Sequence, residues 1–255
     1  MNQRPPERRT RIAAAFGRAS AYNDGAVVQR AAAQVLAQRI GAAGLRPAPR
    51  VLELGCGTGF LTRALMPHLD PTARWTVSDI APAMLDRTRA VLDLQADFRL
   101  IDGEALPTGL GPFDLIAANL VVQWFDDLPG ALERLAAEMA PGGLLAFSTM
   151  AAGSFAEWTA ALDADGLASG TPTYPDAAAL EAIAPAGVAA EIGIVDFPQR
   201  LSARMFLRQL KTIGAATPAP GYRPLSAAEL RRAIARFDAG PRILTYRVAF
   251  CLLRK

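Results

Sequence analysis

The sequence predicts an α/β fold: a mostly parallel sheet with helices on both faces. Three observations predict it. From residue 50 short apolar runs alternate with helix-patterned segments, a glycine-rich turn follows the first run, and an acid closes each of the next two. Alternation at this spacing provides the crossover connections that parallel strands require. The 255 residues are 51% hydrophobic and 20% charged, which suits one core with a small addition. No repeat and no low-complexity stretch interrupts it.

Taken in order, residues 11–40 carry Ile12, Phe16, Val27, Val28, Val35 and Leu36 at helical spacing. They read as one or two amphipathic helices, with Asn23-Asp24-Gly25 breaking the run and capping the second. Pro47 and Pro49 mark a linker. Strands are expected at 51–54, 74–79, 98–102, 113–119 and 144–150, with helices at 59–66, 82–91 and 128–139 between them. Pro141-Gly142-Gly143 is a tight turn into the fifth strand. Residues 151–189 are Ala-rich, with two helices around an irregular loop at 170–175. A strand at 191–197, helices at 202–215 (ended by Gly214) and 227–238 (capped by Ser226), and a last strand at 243–253 complete the chain. The last strand is expected to run antiparallel beside 191–197. The division expected is one domain: 1–45 a helical arm and lid, 50–150 a ligand-binding half, 151–189 a helical cap, and 190–255 the final strands and basic helices.

No apolar run approaches the roughly 18–20 residues that span a bilayer. The Arg-rich start has too short an apolar piece for a signal peptide, and Glu7 argues against a transit peptide. Cys56 and Cys251 do not make a disulfide framework. The expectation is a cytoplasmic monomer, without metal, membrane or nucleic acid. Charge is unevenly spread. Residues 1–50 hold nine Arg and two acids, a net +7; residues 51–198 hold six Arg and twenty acids, a net −14; residues 199–255 hold twelve Arg plus Lys and two acids, a net +10. Either the basic ends fold onto the acidic middle and neutralise it, or they present a surface to an acidic partner.

The chemistry concentrates in Val-Leu-Glu-Leu-Gly-Cys-Gly-Thr-Gly-Phe, residues 51–60. Glycines there permit a sharp turn and close approach of a ligand to the backbone. A dinucleotide turn places its third glycine one position later than Gly59 stands here. Glu53, two residues before Gly55, would repel a pyrophosphate but suits a cationic amino-acid end, such as that of S-adenosylmethionine. Cys56 is a small filler within the turn, not a nucleophile. Strand carboxyl ends line the ligand crevice of open α/β sheets. Asp79 is therefore placed for two ribose hydroxyls and Asp102 for an adenine amino group.

This set, over residues 50–150, resembles the class I, Rossmann-like methyltransferases, which implies a seven-stranded sheet with one antiparallel strand. By that likeness Glu53, Gly55, Cys56, Gly57 and Gly59 hold the methionine part, Asp79, Ile80 and Met84 the ribose and adenine, and Asp102, Gly103 and Glu104 the adenine edge. Asn119 sits near the transferable methyl. Residues 12–30, 119–135, 144–154, 206–215 and 244–250 narrow the resemblance to the malonyl-acyl-carrier-protein O-methyltransferases of early biotin synthesis. Tyr22, Gln123-Trp124 and Leu210-Lys211-x-x-Gly214-Ala215 carry most of that likeness. The resemblance breaks at 169–174, where Ser-Gly-Thr-Pro-Thr-Tyr stands in place of a histidine-containing stretch.

What it implies is methyl transfer from S-adenosylmethionine to the free carboxylate of malonyl-acyl carrier protein. Tyr22, Asn119, Gln123 and Trp124 then stand at the reacting centre, and Arg18, Arg204, Arg208 and Lys211 dock the acidic carrier. A malonyl carboxylate is ionised at neutral pH and needs no base. Accordingly His68, the only histidine, reads as a surface residue. Two rivals remain: a methyltransferase for a free small molecule, and a cofactor-binding factor without transfer. Asn119-Leu-Val-Val lacks the Pro-Pro-aromatic signature of base amino-group methylation, which argues against nucleic acid.

Overall fold

A buried apolar strand, β1 (Arg50–Leu54), starts the α/β unit and ends in the glycine loop. The computed structural model describes Thr10, Ala14, residues 26–212 and residues 222–255. Before β1 lies α1 (Val27–Ala43), and after it α2 (Phe60–Leu65), β2 (Arg74–Asp79), α3 (Pro82–Val91), β3 (Ala96–Leu100) and β4 (Phe113–Asn119). There follow α4 (Leu128–Ala137), β5 (Met139–Met150), α5 (Ala156–Asp163), α6 (Ala177–Ala182), β6 (Ala189–Arg200), α7 (Ala203–Thr212), α8 (Ala227–Ala239) and β7 (Ile243–Arg254).

The seven strands form one sheet in the order β3-β2-β1-β4-β5-β7-β6. β7 is antiparallel to both its neighbours, and the other pairings are parallel. The chain order reverses beside β1, between β2 and β4, the switch point where α/β sheets open a crevice. Both faces are covered. Val51, Val77, Leu115 and Phe250 pack on one side with α1, while Leu52, Leu54, Ile116 and Cys251 pack on the other with Leu132 and Leu135 of α4. Burial on both faces is why these strands read as continuous apolar runs.

The element types agree with the sequence reading, and the differences are local. β3 begins at Ala96, two residues early, because it is an edge strand whose register is set by pairing Ala96 with Trp75 and Leu100 with Asp79. Ile101 and Asp102 are thereby released into the crevice loop. The expected turn at 141–143 is an excursion inside a longer β5: Phe113 pairs with Met139, but Leu115 already pairs with Leu144. β6 and β7 form a ribbon of twelve residue pairs, much longer than expected. Ser226 caps α8 with a full capping box to Glu229, as its position predicts.

α1 corrects the expected lid as far as it is described. Its buried stripe of Val28, Ala32, Ala33, Leu36, Ala37 and Ile40 lies flat in the main core, so the helix is a layer of the domain rather than a cover. Its N-cap position is Ala26, without a side-chain cap. The expected cap Asn23-Asp24-Gly25 lies outside the described residues, as do Arg18, Tyr22, Gly214 and Ala215. Beyond β5, Phe155 and Trp158 pack against Phe206 of α7, Phe237 of α8 and Tyr246 of β7 in an aromatic cluster. This cluster anchors α5, α7 and α8 to the end of the sheet remote from β3.

Charge is neutralised partly across the fold. Arg46 meets buried Asp114 at 2.7 Å, Arg236 meets Asp165 at 2.7 Å and Arg247 meets Asp196 at 3.0 Å. Each pair joins a basic end to the acidic middle. Among the described residues no helix is long and apolar enough to cross a membrane.

Candidate active site

The turn after β1 is made by three glycines with positive φ: Gly55 at 63°, Gly57 at 56° and Gly59 at 80°. This region is open to glycine at little cost. Gly55 has a second requirement, since a Cβ there would run into the Val121 side chain. The turn is tied to β2. Cys56 N–H donates to Ser78 O at 2.9 Å, and Gly57 N–H donates to Asp79 Oδ2 at 2.9 Å. Asp79 Oδ1 accepts from Ala81 N–H at 2.8 Å. Held by these amides, Asp79 also lines the cleft. Burial pushes the Asp79 carboxyl above the usual range, against the pull of those amides.

The loop, the ends of β2 and β4 and the turns that follow line a partly open cleft. Gly55 and Gly57 form one wall, Asp79, Ile80 and Met84 the next, and Ile101, Asp102, Gly103 and Glu104 a third. Asn119, Leu120, Val121, Trp124 and Phe125 close the far side. Among the described residues, three carboxylates and no basic side chain stand in that wall.

The expected cofactor residues divide into two groups. Gly55, Gly57, Asp79, Ile80, Met84, Asp102, Gly103, Glu104 and Asn119 line the cleft. Glu53, at the end of β1, and Cys56 and Gly59, within the loop, are not among the lining residues. Glu53 is the most informative of these. It is 1% exposed, and neither carboxylate oxygen has a hydrogen-bond partner among the described residues. Burial raises it from an ordinary 4.5 to about 7, with neighbouring Thr62 pulling down and Asp79 pushing up. A buried acid without a partner is costly, and that cost is removed when a cation arrives nearby. Cys56 is buried and its thiol is pushed far up by that burial, which leaves it a filler.

Glu104 has a second task besides lining the cleft. Its Oε1 accepts from Asp126 N–H at 3.0 Å and Asp127 N–H at 2.7 Å, so this wall residue also braces the loop after Trp124. Asp102 Oδ1 accepts from Glu104 N–H at 3.1 Å and caps the short turn Gly103–Ala105.

Of the residues expected at the reacting centre, Asn119 and Trp124 line the cleft together. Gln123 is turned away. Its Nε2 donates to Leu120 O at 2.8 Å, while its Oε1 is buried without a partner among the described residues. Arg204 and Arg208 are exposed one turn apart on α7, and the side chain of Lys211 lies outside the described part. His68 is exposed. Among the described residues no group of three His, Cys, Asp or Glu could hold a metal ion. Sequence reasoning missed Ile101, Leu120, Val121 and Phe125, whose apolar side chains carry no chemical signature. The only available clue was their position just after strands β3 and β4.

The donor set fits S-adenosylmethionine: an uncompensated buried carboxylate for the ammonium and sulfonium, Asp79 for hydroxyls, and apolar Ile80 and Met84 for a flat ring. Comparison with known proteins agrees. A methyltransferase-domain family model matches residues 51–143. The YcgJ protein of Bacillus subtilis shares the fold at a TM-score of 0.63 and 16% identity, over 86% of this chain and 97% of that one. The plantazolicin methyltransferase BpumL, solved with S-adenosylhomocysteine, aligns at a TM-score of 0.57 and 14% identity, over 98% of this chain and 96% of that one. The biotin biosynthesis bifunctional protein BioCD of Bordetella avium is 46% identical over 93% of this chain, which spans 50% of that longer protein. A malonyl-acyl-carrier-protein O-methyltransferase of Magnetococcus marinus is 38% identical over 98% of this chain and 94% of its own length. With end-to-end identity of that order added to the fold and to the acid-lined cleft, this chain belongs to the malonyl-acyl-carrier-protein O-methyltransferase family.

Proposed function

We propose that the protein transfers the methyl group of S-adenosylmethionine to the free carboxylate of a malonyl group carried on acyl carrier protein. The observation that carries this reading is the cleft at the sheet's switch point, walled by acids and backed by the unpartnered Glu53. Such a field favours a cationic donor and repels a pyrophosphate. When bound, the donor supplies an electrophilic methyl on a sulfonium. One C–O bond forms as one C–S bond breaks, the two opposite charges cancel, and no proton moves.

The chain's own groups therefore bind, orient and exclude water. Asp79 and Asp102 hold the nucleoside end, and Glu53 balances the cationic end from β1. Trp124 and Phe125, on the side where Asn119 ends β4, keep solvent from the reacting atoms. Alignment and dehydration of a carboxylate already ionised at neutral pH supply the rate.

The acceptor's own negative charge needs a basic partner, and the described residues of the cleft wall offer none. Exposed Arg204 and Arg208, with Lys211 one turn on, form a stripe suited to an acidic carrier. Arg18 and Tyr22, outside the described residues, complete the docking and lid set. Incubation with malonyl-acyl carrier protein and S-adenosylmethionine, read by mass spectrometry, tests the reading. The expected result is a gain of one methyl on the malonyl group. Equal methylation of malonyl-coenzyme A would point to a free small-molecule acceptor, and donor binding without any methyl gain would point to a binding factor.

A further inference from the structure

Leu120, at the corner after β4, holds a left-handed conformation with φ 54° while lining the cleft. A leucine adopts that region only where its surroundings enforce it. The enforcing group is Ser148, fully buried on β5. Leu120 N–H donates both to Ser148 O at 3.1 Å and to Ser148 Oγ at 3.0 Å. The same hydroxyl donates its one proton to Asn119 Oδ1 at 2.8 Å. Asn119 Nδ2 in turn donates to Gln29 O, in the first turn of α1, at 2.9 Å. Each partner has one consistent direction. If the amide were flipped, its oxygen would face the Gln29 carbonyl, so the network permits a single orientation of Asn119.

We propose that Ser148 is a positioning residue: its hydroxyl orients the Asn119 amide and, through it, fastens the first turn of α1 to the cleft wall. The uncapped start of α1 accords with this, since no local side chain secures that turn. The first turn of α1 is therefore held beside the cleft at a point fixed by Ser148. That would be the acceptor side, and only this naming of the side rests on the function proposed above.

The test combines kinetics with amide hydrogen exchange on Ser148→Ala, Asn119→Ala and the double variant. We expect Ser148→Ala to leave the Kd of S-adenosylmethionine within about twofold and to lower acceptor kcat about tenfold, the usual consequence of losing one buried hydrogen bond. The double variant should be no worse than Asn119→Ala alone, because both act through one network. Amides 30–33 should exchange about tenfold faster in each variant, while amides 37–40 remain unchanged. Effects on kcat that multiply independently, or exchange at 30–33 equal to wild type, would overturn the proposal. If Ser148→Ala does not fold, Asn119→Asp decides alone, since it preserves volume but sets a carboxylate oxygen against Gln29 O. If the wild-type protein methylates no malonyl carrier, the proposed function fails while the exchange measurement still judges Ser148.

Discussion

At the amino-terminal edge of the sheet, Asp114 and Glu138 are buried carboxylates with every oxygen engaged. Asp114 accepts from Arg50 N–H at 2.8 Å and pairs with Arg46, and Glu138 accepts from Gly109 N–H at 2.7 Å and Gly111 N–H at 2.6 Å. At the opposite edge of the same sheet, Glu53 is equally buried with both oxygens unpartnered among the described residues. The first edge is finished by the protein itself. In the function proposed above a ligand finishes the second, and the contrast then separates an acid that holds the fold from one that serves a site.

The comparison can be broken most directly at Asp79. Asp79→Ala removes the acceptor for hydroxyls and leaves Gly57 N–H unpaired, so donor affinity should fall by about 3–5 kcal/mol in calorimetry. Unchanged affinity would show that the ligand edge is elsewhere. The next effect is a pH dependence. Glu53 is raised in the folded state from 4.5 to about 7. At low pH both states hold the proton and the group is neutral to stability. As pH rises from 4.5 the unfolded chain loses the proton first, so stability of the ligand-free protein falls until about pH 7. The loss attributable to this group is about 3 kcal/mol. Glu53→Gln should remove that slope in urea melts between pH 5 and 7.5, and wild-type and variant curves that stay parallel would contradict it.

A smaller effect sharpens the contrast from the other edge. Glu138→Gln sets an amide NH₂ against a backbone N–H and should destabilise the fold by about 1–3 kcal/mol while leaving donor affinity untouched. A change in affinity there would blur the two edges into one. The smallest change expected is at α7. Arg204→Glu with Arg208→Glu should raise the KM for a malonyl carrier about tenfold at low salt, with donor affinity constant and the difference shrinking as salt rises. An unchanged KM would take α7 out of carrier docking.

Much of the cofactor side was legible because it depends on residue types that few other arrangements require. Gly55, Gly57 and Gly59 stand where positive φ is needed, Asp79 ends β2, and Asp102 follows the end of β3 by two residues. What stayed hidden depends on tertiary neighbours. Nothing local in the sequence marks Glu104 as a brace for the backbone of Asp126 and Asp127, since its partners lie more than twenty residues away. Ser148 reads only as a polar residue inside an apolar strand, and its bond to Asn119 exists because β4 pairs with β5 in one register. Leu120, Val121 and Phe125 line the cleft through backbone turns that composition does not announce. The sequence of α1 suits a cover as well as a core layer, because an amphipathic helix looks alike whether its apolar stripe faces a sheet or a lid.

The central claim is that Glu53 is kept unpaired for a cationic donor. It is tested by calorimetric titration of S-adenosylmethionine near pH 6.5 in two buffers of different ionisation enthalpy. Arrival of the cation should drive Glu53 to its ionised form, so binding releases a substantial fraction of a proton, and Glu53→Gln should abolish that release while weakening affinity. Binding with no proton release in the wild-type protein, or equal release and affinity in Glu53→Gln, would contradict the account.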